Sequence, residues 1–388
     1  MTEIRVSCTE EQLVLKKAVY ELCKLYPGEY WRELDEKREY PEAFVQELTK
    51  AGYLAALIPE EYGGGGLGVL EGGLILEEIN RSGGNAAACH AQMYIMGTLL
   101  RHGSEAQKAR YLPKIATGEL RLQAFGVTEP NSGSDTTRLQ TTAERRGDSY
   151  VINGQKIFIS RVLQSDLILL LARTTPVDQV RKRTDGLSVF LFDIRHLKGF
   201  EVRPLRTMLN HSTNVLFFDQ VEVPADSLIG EEGKGFAYIL DGMNAERILV
   251  ASESIGDGRW FVEKAVQYSK ERVIFEKPIG ANQGVQFPIA RAHMAVEAAD
   301  LMRLKAAGLF DAGEPCGADA NMAKYLGAEA AWEAANACLD CHGGYGFAAE
   351  YDVERKFRET RLYKTAPVNN NLVLAYIGQH VLGMPRSY

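Results

Sequence analysis

The spacing of apolar residues changes twice along this 388-residue chain, and few folds accommodate both changes. Up to about residue 122 apolar side chains recur at helical intervals, as in "PEAFVQELTKAGY", where Phe44, Val45 and Leu48 share one side. From about 123 they alternate with period two in "DLILLLART", "LSVFLFDI", "FEVRPLR" and "NVLFFDQVEVP", each bounded by Gly, Asp or Pro. "SYVINGQKIFIS" adds a hairpin signal, with Asn153-Gly154 as the expected turn between two alternating arms. From about 231 helical spacing returns in long amphipathic stretches and holds to the end. The expected architecture is α+β and multidomain: an N-terminal α-helical domain (1–122), a middle antiparallel β domain (123–230) and a C-terminal α-helical bundle (231–388).

Bulk properties narrow the partners. A formal net charge of −7 weighs against nucleic acid and against an anionic membrane surface. No apolar run approaches the ~18 residues of a spanning helix, and "LILLLA" at 167–172 is strand-sized. The start, "MTEIRVSCTEEQ", has neither a signal-peptide core nor an Arg-rich transit character, so the expected location is the cytoplasm, without membrane insertion. Six cysteines in so long a chain do not make a disulfide framework. "CLDCH", Cys338 to His342, matches the spacing of covalent haem attachment. The residues before it are helical in composition and nothing points to export, so haem attachment is not expected. Gly63, Gly65 and Gly68 satisfy G-x-G-x-x-G, yet no strand precedes them and no βαβ alternation follows, so a turn is expected there. No metal site is expected.

Two segments carry chemistry. "LDGMNAERILVASESIG" (240–256) reads as a helix with Glu246 inside it and apolar Leu249 and Val250 on the next turn. Most helical glutamates are solvated, but a desolvated one has a raised pKa and is a stronger base. "FGVTEPNSGSD" (125–135) is dense in backbone N–H groups, hydroxyls and glycine, which suits a polar aromatic ring system or a phosphate.

With these segments in view, the sequence resembles the acyl-CoA dehydrogenase flavoproteins along nearly its whole length. "GSEAQKARYLPKIATGE" is similar to the stretch before that family's β domain. "FGVTEPNSGSD" is similar to its T-E-P-x-x-G-S-D signature and "INGQKIFIS" to its N-G-x-K-x-[WF]-I-[ST] motif. "ERVIFEKPIGANQGVQ" is similar to R-x-x-F-x-K-P-I…Q, and "HGGYGF" to a late Gly-Gly loop. The resemblance implies noncovalent FAD. Its ring contacts would be Phe125, Val127, Thr128 and Ser134, then Phe158, Ile159 and Ser160. Arg272, Phe275, Gln283 and the Asp340–Gly344 loop, with Gly343 and Gly344, would reach the FAD of a neighbouring subunit, which implies a homo-oligomer, dimer or tetramer. Asp340 stands where the family often has Gln, so it would accept hydrogen bonds rather than donate them. Asn369 and Asn371 stand where Thr and an amide or acid meet the FAD. Asn244 and Arg247 would lie near the pantetheine of an acyl-CoA substrate, and Ser134 at both flavin and substrate.

Such enzymes remove a proton from Cα of an acyl thioester as hydride leaves Cβ. Many members place the base in a near-terminal Y-E-G-T motif, but the matching stretch here, "RLYKTAPVNNNL", contains no carboxylate. Lys364 and Pro367 fall near the position and neither accepts a proton at neutral pH. A second group in the family, including isovaleryl-CoA and long-chain dehydrogenases, carries the base in an E-R dipeptide on the first long helix of the C-terminal domain. "GMNAERILVA" resembles that segment and implies Glu246 as the catalytic base. The expected activity is dehydrogenation of an acyl-CoA to the trans-2-enoyl-CoA, with electrons passed to an electron-transfer flavoprotein. The alternative is a flavin oxidase or monooxygenase of the same fold.

Overall fold

The computed structural model describes residues 7–386, so the first six residues of the acidic start lie outside the description. The described chain packs as two compact units assembled from interleaved segments. One comprises Arg38–Gly66 and Ala87–Met243; the other comprises the chain up to Lys37, Leu67–Ala86 and the chain from Asn244 on.

The first of these units holds α3 (Glu42–Lys50), α5 (Ala87–His102) and α6 (Glu105–Thr117) with strands β1 to β8. The strands are β1 (Leu122–Gly126), β2 (Thr142–Arg146), β3 (Ser149–Ser160), β4 (Leu167–Arg173), β5 (Leu187–Asp193), β6 (Phe200–Pro204), β7 (Thr213–Pro224) and β8 (Leu228–Ile229). They form one sheet in the order β6-β7-β3-β2-β4-β5-β8, with β1 alongside β4. The long ladders are antiparallel as expected, but β1 and the end of β2 run parallel to β4, so the sheet is mixed. Period two sorts β4 between two cores: Leu167, Leu169 and Leu171 pack with residues of α5 and α6 such as Met96, Leu99 and Leu112, whereas Ile168, Leu170 and Ala172 pack with Tyr150, Phe190 and Leu216.

One expectation is corrected. Asn153-Gly154 is no turn: β3 is a continuous strand of 12 residues that passes straight through it. The reversal lies earlier, between β2 and β3, where Gly147 has φ 61° and Arg146 pairs with Ser149. Gly154 instead marks a register shift against β7, where φ is 149° and an added Cβ would lie 2.5 Å from the Thr141 hydroxyl. Asn153 fills the irregularity by accepting from the Gln220 N–H at 2.8 Å. The dipeptide has two uses, a tight hairpin or a bulge into which another backbone crowds, and here it serves the second.

The other unit is helical. It contains α1 (Glu10–Cys23), α2 (Gly28–Lys37), α4 (Val69–Arg81), most of α7 (Gly235–Glu271), α8 (Gln283–Asp311), α9 (Gly317–His342), α10 (Val353–Thr360) and α11 (Asn370–Tyr376), with a small hairpin of β9 (Val273–Ile274) and β10 (Lys277–Pro278). Buried alanines on facing stretches of α8 and α9, among them Ala292, Ala299, Ala331 and Ala335, let the two backbones approach closely. Glu77 of α4, with no exposed side-chain surface, ties four helices together: it accepts from Lys16 of α1 at 2.7 Å, from Arg303 of α8 at 2.9 Å and from Arg259 of α7. The "CLDCH" stretch is the last turns of α9, with Cys338 wholly buried and His342 Nδ1 2.8 Å from the Cys338 carbonyl.

Candidate functional site

In the sheet-bearing unit, the end of β1 and the middle of β3 are stitched to each other. The Ile157 N–H donates to the Thr128 carbonyl at 2.9 Å. Beneath that bond lies Lys156, wholly buried, whose Nζ donates to the Val127 carbonyl at 3.0 Å and to Glu129 Oε1 at 2.9 Å. Glu129 also accepts from the N–H groups of Gln140 at 2.7 Å and Thr141 at 2.9 Å. Burial opposes the ionisation of Glu129, but the Lys156 ammonium and these donors outweigh it and hold its carboxyl below the usual range. Burial pulls Lys156 down to about 8 against the attraction of Glu129. Both residues belong to the T-E-P and N-G-x-K signatures, yet the sequence reading gave neither a role.

This pin brings together the residues expected at a ring system. Phe125, one residue before the end of β1, has its ring edge-on to Tyr94 at 5.7 Å, while Val127 and Thr128 follow half-buried. Opposite them β3 breaks its register with β7 between Lys156 and Ile159. There Phe158 is held at φ 59° with 59% of its surface exposed, an arrangement costly for an aromatic residue and therefore imposed by its surroundings. Ile159 beside it is buried, Ser160 is half-buried and Ser134 is exposed. Among the described residues the Thr128 and Ser160 hydroxyls make no hydrogen bond. A bared aromatic face beside unengaged hydroxyls fits a flat ring with a polar edge, which is the chemistry of a flavin.

The helical unit holds the acids and bases. Glu246 lies on α7 with 7% of its surface exposed, among Ala245, Leu249 and Val250, which are more buried still. Among the described residues no group donates a hydrogen bond to its carboxylate. Burial pushes its pKa up to about 8, against the pull of the adjacent Arg247 charge. Arg247 turns to Asn244 instead: Nη1 donates to Asn244 Oδ1 at 2.9 Å, and its buried Nε has no hydrogen-bond partner among the described residues. The terminal segment is equally defined. Lys364 Nζ donates to Glu329 Oε2 of α9 at 2.7 Å, so it is half of an ion pair. Asn369 caps α11, accepting from the Leu372 N–H at 3.0 Å, and Asn371 is exposed. Arg272 reaches over the Tyr345 ring at 5.7 Å, Phe275 is 95% exposed at φ 52°, and Gln283, Asp340, Gly343 and Gly344 are exposed near the same hairpin or at the end of α9.

Profiles of three domains match in the same order: the acyl-CoA dehydrogenase N-terminal domain at residues 9–119, the middle domain at 124–221 and the C-terminal domain at 233–382. The chain belongs to the acyl-CoA dehydrogenase family. The acyl-CoA dehydrogenase FadE12 of Mycobacterium tuberculosis is 38% identical over 100% of both chains. Among solved structures, a glutaryl-coenzyme A dehydrogenase in complex with glutaryl-CoA superposes with a TM-score of 0.91 at 32% identity, over 98% of this chain and 97% of that one. The butyryl-CoA dehydrogenase of Megasphaera elsdenii gives 0.91 at 31% identity, over 97% and 99%. The chain is an oxidoreductase of this FAD-dependent family, and no helix among the described residues is long and apolar enough to cross a membrane.

Proposed function

We propose that this enzyme converts an acyl-CoA to its trans-2-enoyl-CoA with Glu246 as the base that takes the α-proton, and that an electron-transfer flavoprotein receives the electrons. The observation that carries the assignment is the state of Glu246: buried, bound to no donor among the described residues and raised to about 8, it is the group a proton-abstracting role needs. The near-terminal segment supports it by offering no rival, since Lys364 is tied up with Glu329. FAD, when bound, supplies the hydride acceptor for the Cβ–H. Phe125, Val127, Thr128, Ser134, Phe158, Ile159 and Ser160 would hold its ring, the hydroxyls serving its heteroatom edge. Arg272, Phe275, Gln283, Asp340, Gly343, Gly344, Asn369 and Asn371 would reach FAD in a homo-oligomer. Asn244 and Arg247, locked to each other, would orient the thioester arm, and Ser134 would touch both ligands.

The test is an anaerobic series of acyl-CoA thioesters of varied length and branching, followed at the flavin absorbance. Bleaching by a member of the series, with electrons then passing to an electron-transfer flavoprotein faster than to oxygen, is the expected result. Binding without bleaching would remove the dehydrogenase reading. Fast reoxidation by air with peroxide release would replace it by an oxidase.

A further inference from the structure

The terminal segment lacks its usual acid, yet it is held more firmly than a discarded loop needs to be. Lys324 of α9 has no exposed surface, and its Nζ donates to the Val368 carbonyl at 2.6 Å and to Asn370 Oδ1 at 2.7 Å. The other side of the same amide, Asn370 Nδ2, donates to Glu329 Oε1 at 2.7 Å. One asparagine thus bridges an ammonium and a carboxylate from α9, and the backbone between Lys364 and Asn370 is clamped at both ends. The ammonium is costly to keep there. Burial first, then the charges of Arg247 and Lys364, bring its pKa down to about 8 against the opposing pull of Glu329. A buried cation facing two others stabilises little by itself, so its value lies in what it holds.

What it holds is a short list of backbone donors. The N–H groups of Thr365 and Ala366 both donate to the Leu362 carbonyl, at 2.8 Å and 3.0 Å. Pro367 has no N–H. Val368 donates to no group among the described residues.

We propose that Lys324 is a positioning residue, one that fixes the 366–370 segment through Val368 and Asn370 so that the Val368 N–H meets the thioester carbonyl as Glu246 removes the α-proton. The inference rests on the dehydrogenase reading above. As the Cα–H bond breaks, its electron pair moves toward the carbonyl and negative charge gathers on oxygen, while the proton goes to the Glu246 carboxylate. A fixed N–H answers that charge without reorganising.

An acyl-CoA with sulfur in place of Cβ tests this apart from hydride transfer, because it can lose an α-proton but offers no Cβ–H. In deuterium oxide the native enzyme should exchange the Cα hydrogens of this analogue, read by proton NMR. Lys324→Gln should bind the analogue within about threefold of native affinity and retain its FAD, yet exchange at least about tenfold more slowly. Lys324→Arg, which keeps a cation able to reach both acceptors, should recover part of the rate. Exchange by a folded Lys324→Gln variant at the native rate would overturn the proposal, as would a loss confined to analogue affinity. Should Lys324→Gln fail to fold, Asn370→Ala carries the same expectation, since it removes the second anchor. If the native enzyme neither exchanges the analogue nor is bleached by any acyl-CoA, the dehydrogenase reading itself falls. Bleaching of the native enzyme with unaltered exchange in the variants removes only the role of Lys324.

Discussion

Among the described residues Glu246 receives no hydrogen bond, unlike Asp257 and Glu263 on the same helix. Asp257, about three turns on, accepts from Thr360 at 2.5 Å and pairs with Lys356, and Glu263 pairs with Arg81. A carboxylate relieved of partners keeps its basicity, and this one is also kept from water. Glu246→Gln preserves volume and removes the proposed base, so flavin reduction should slow by ~10²–10⁴ while FAD content stays unchanged. Rapid reduction in that variant would send the search for the base elsewhere. The raised pKa also fixes two pH dependences. As the proposed base Glu246 would act ionised, so kcat/KM for flavin reduction should rise with pH up to about 8 and then level. Stability runs the other way: the folded chain holds this proton more tightly than the unfolded chain, whose value is near 4.5, so stability falls as pH climbs from there through about 8. Denaturant titrations across that range should show a downward slope in the native enzyme that is smaller in Glu246→Gln. Lys364 gives the contrasting case. Its ammonium is spent on Glu329, and Lys364→Ala should leave flavin reduction within about tenfold, ~1.4 kcal/mol in barrier. Stopped-flow reduction separates that small change from the loss of several orders of magnitude that a catalytic lysine would show.

At the level of elements, β1 and β3 act as one piece because of the Lys156–Glu129 pair. Lys156→Met would leave Glu129 ionised and buried with only N–H donors around it, and breaking such a pair costs ~3–5 kcal/mol. Urea unfolding should show that loss. The double change Lys156→Met with Glu129→Gln should recover part of it, and FAD should be weakly held in the single variant. Both partners stood in plain sight in the sequence, inside "TEP" and "NGQK", but a charged residue on a strand gives no sign of what it meets across a sheet. The period-two pattern did reveal the strands. It could not tell Asn153-Gly154 as a turn from Asn153-Gly154 as a bulge, because alternation runs through both arms in either case. The true reversal at Gly147 lay in "RRGDSY", where charged residues hide the alternation. The burial of Glu246 was not decided by its own segment, since most helical glutamates are solvated; the resemblance of "GMNAERILVA" and the acid-free terminal stretch drew attention to it, and the packing of α7 buries it. The Lys324 clasp was not legible, because its members lie about forty residues apart and meet only through α9 packing.

For the whole molecule, the exposed hairpin of β9 and β10 poses a question a single chain leaves open. Val273, Ile274 and Phe275 expose 56%, 46% and 95% of their surfaces, and Phe275 and Glu276 are both held at positive φ, 52° and 63°. An aromatic residue fixed in a strained conformation with its side chain in water has no reason to persist in an isolated subunit. A second copy of this chain, bringing its own FAD as proposed above, would give it one. That occupant accords with the proposed roles of Arg272 and Gln283, which flank the hairpin in sequence. Phe275→Ser should therefore loosen the oligomer and lower FAD occupancy together, since each subunit would lose part of the cover that the other's hairpin provides. The effect should depend on concentration: light scattering of the variant should show a smaller particle on dilution, and the flavin absorbance per chain should fall in step. Native protein diluted to the same concentration should keep both. A Phe275→Ser protein that dissociates yet retains full FAD would separate the hairpin from the cofactor, and one that loses FAD while keeping its size would place Phe275 within its own subunit's site.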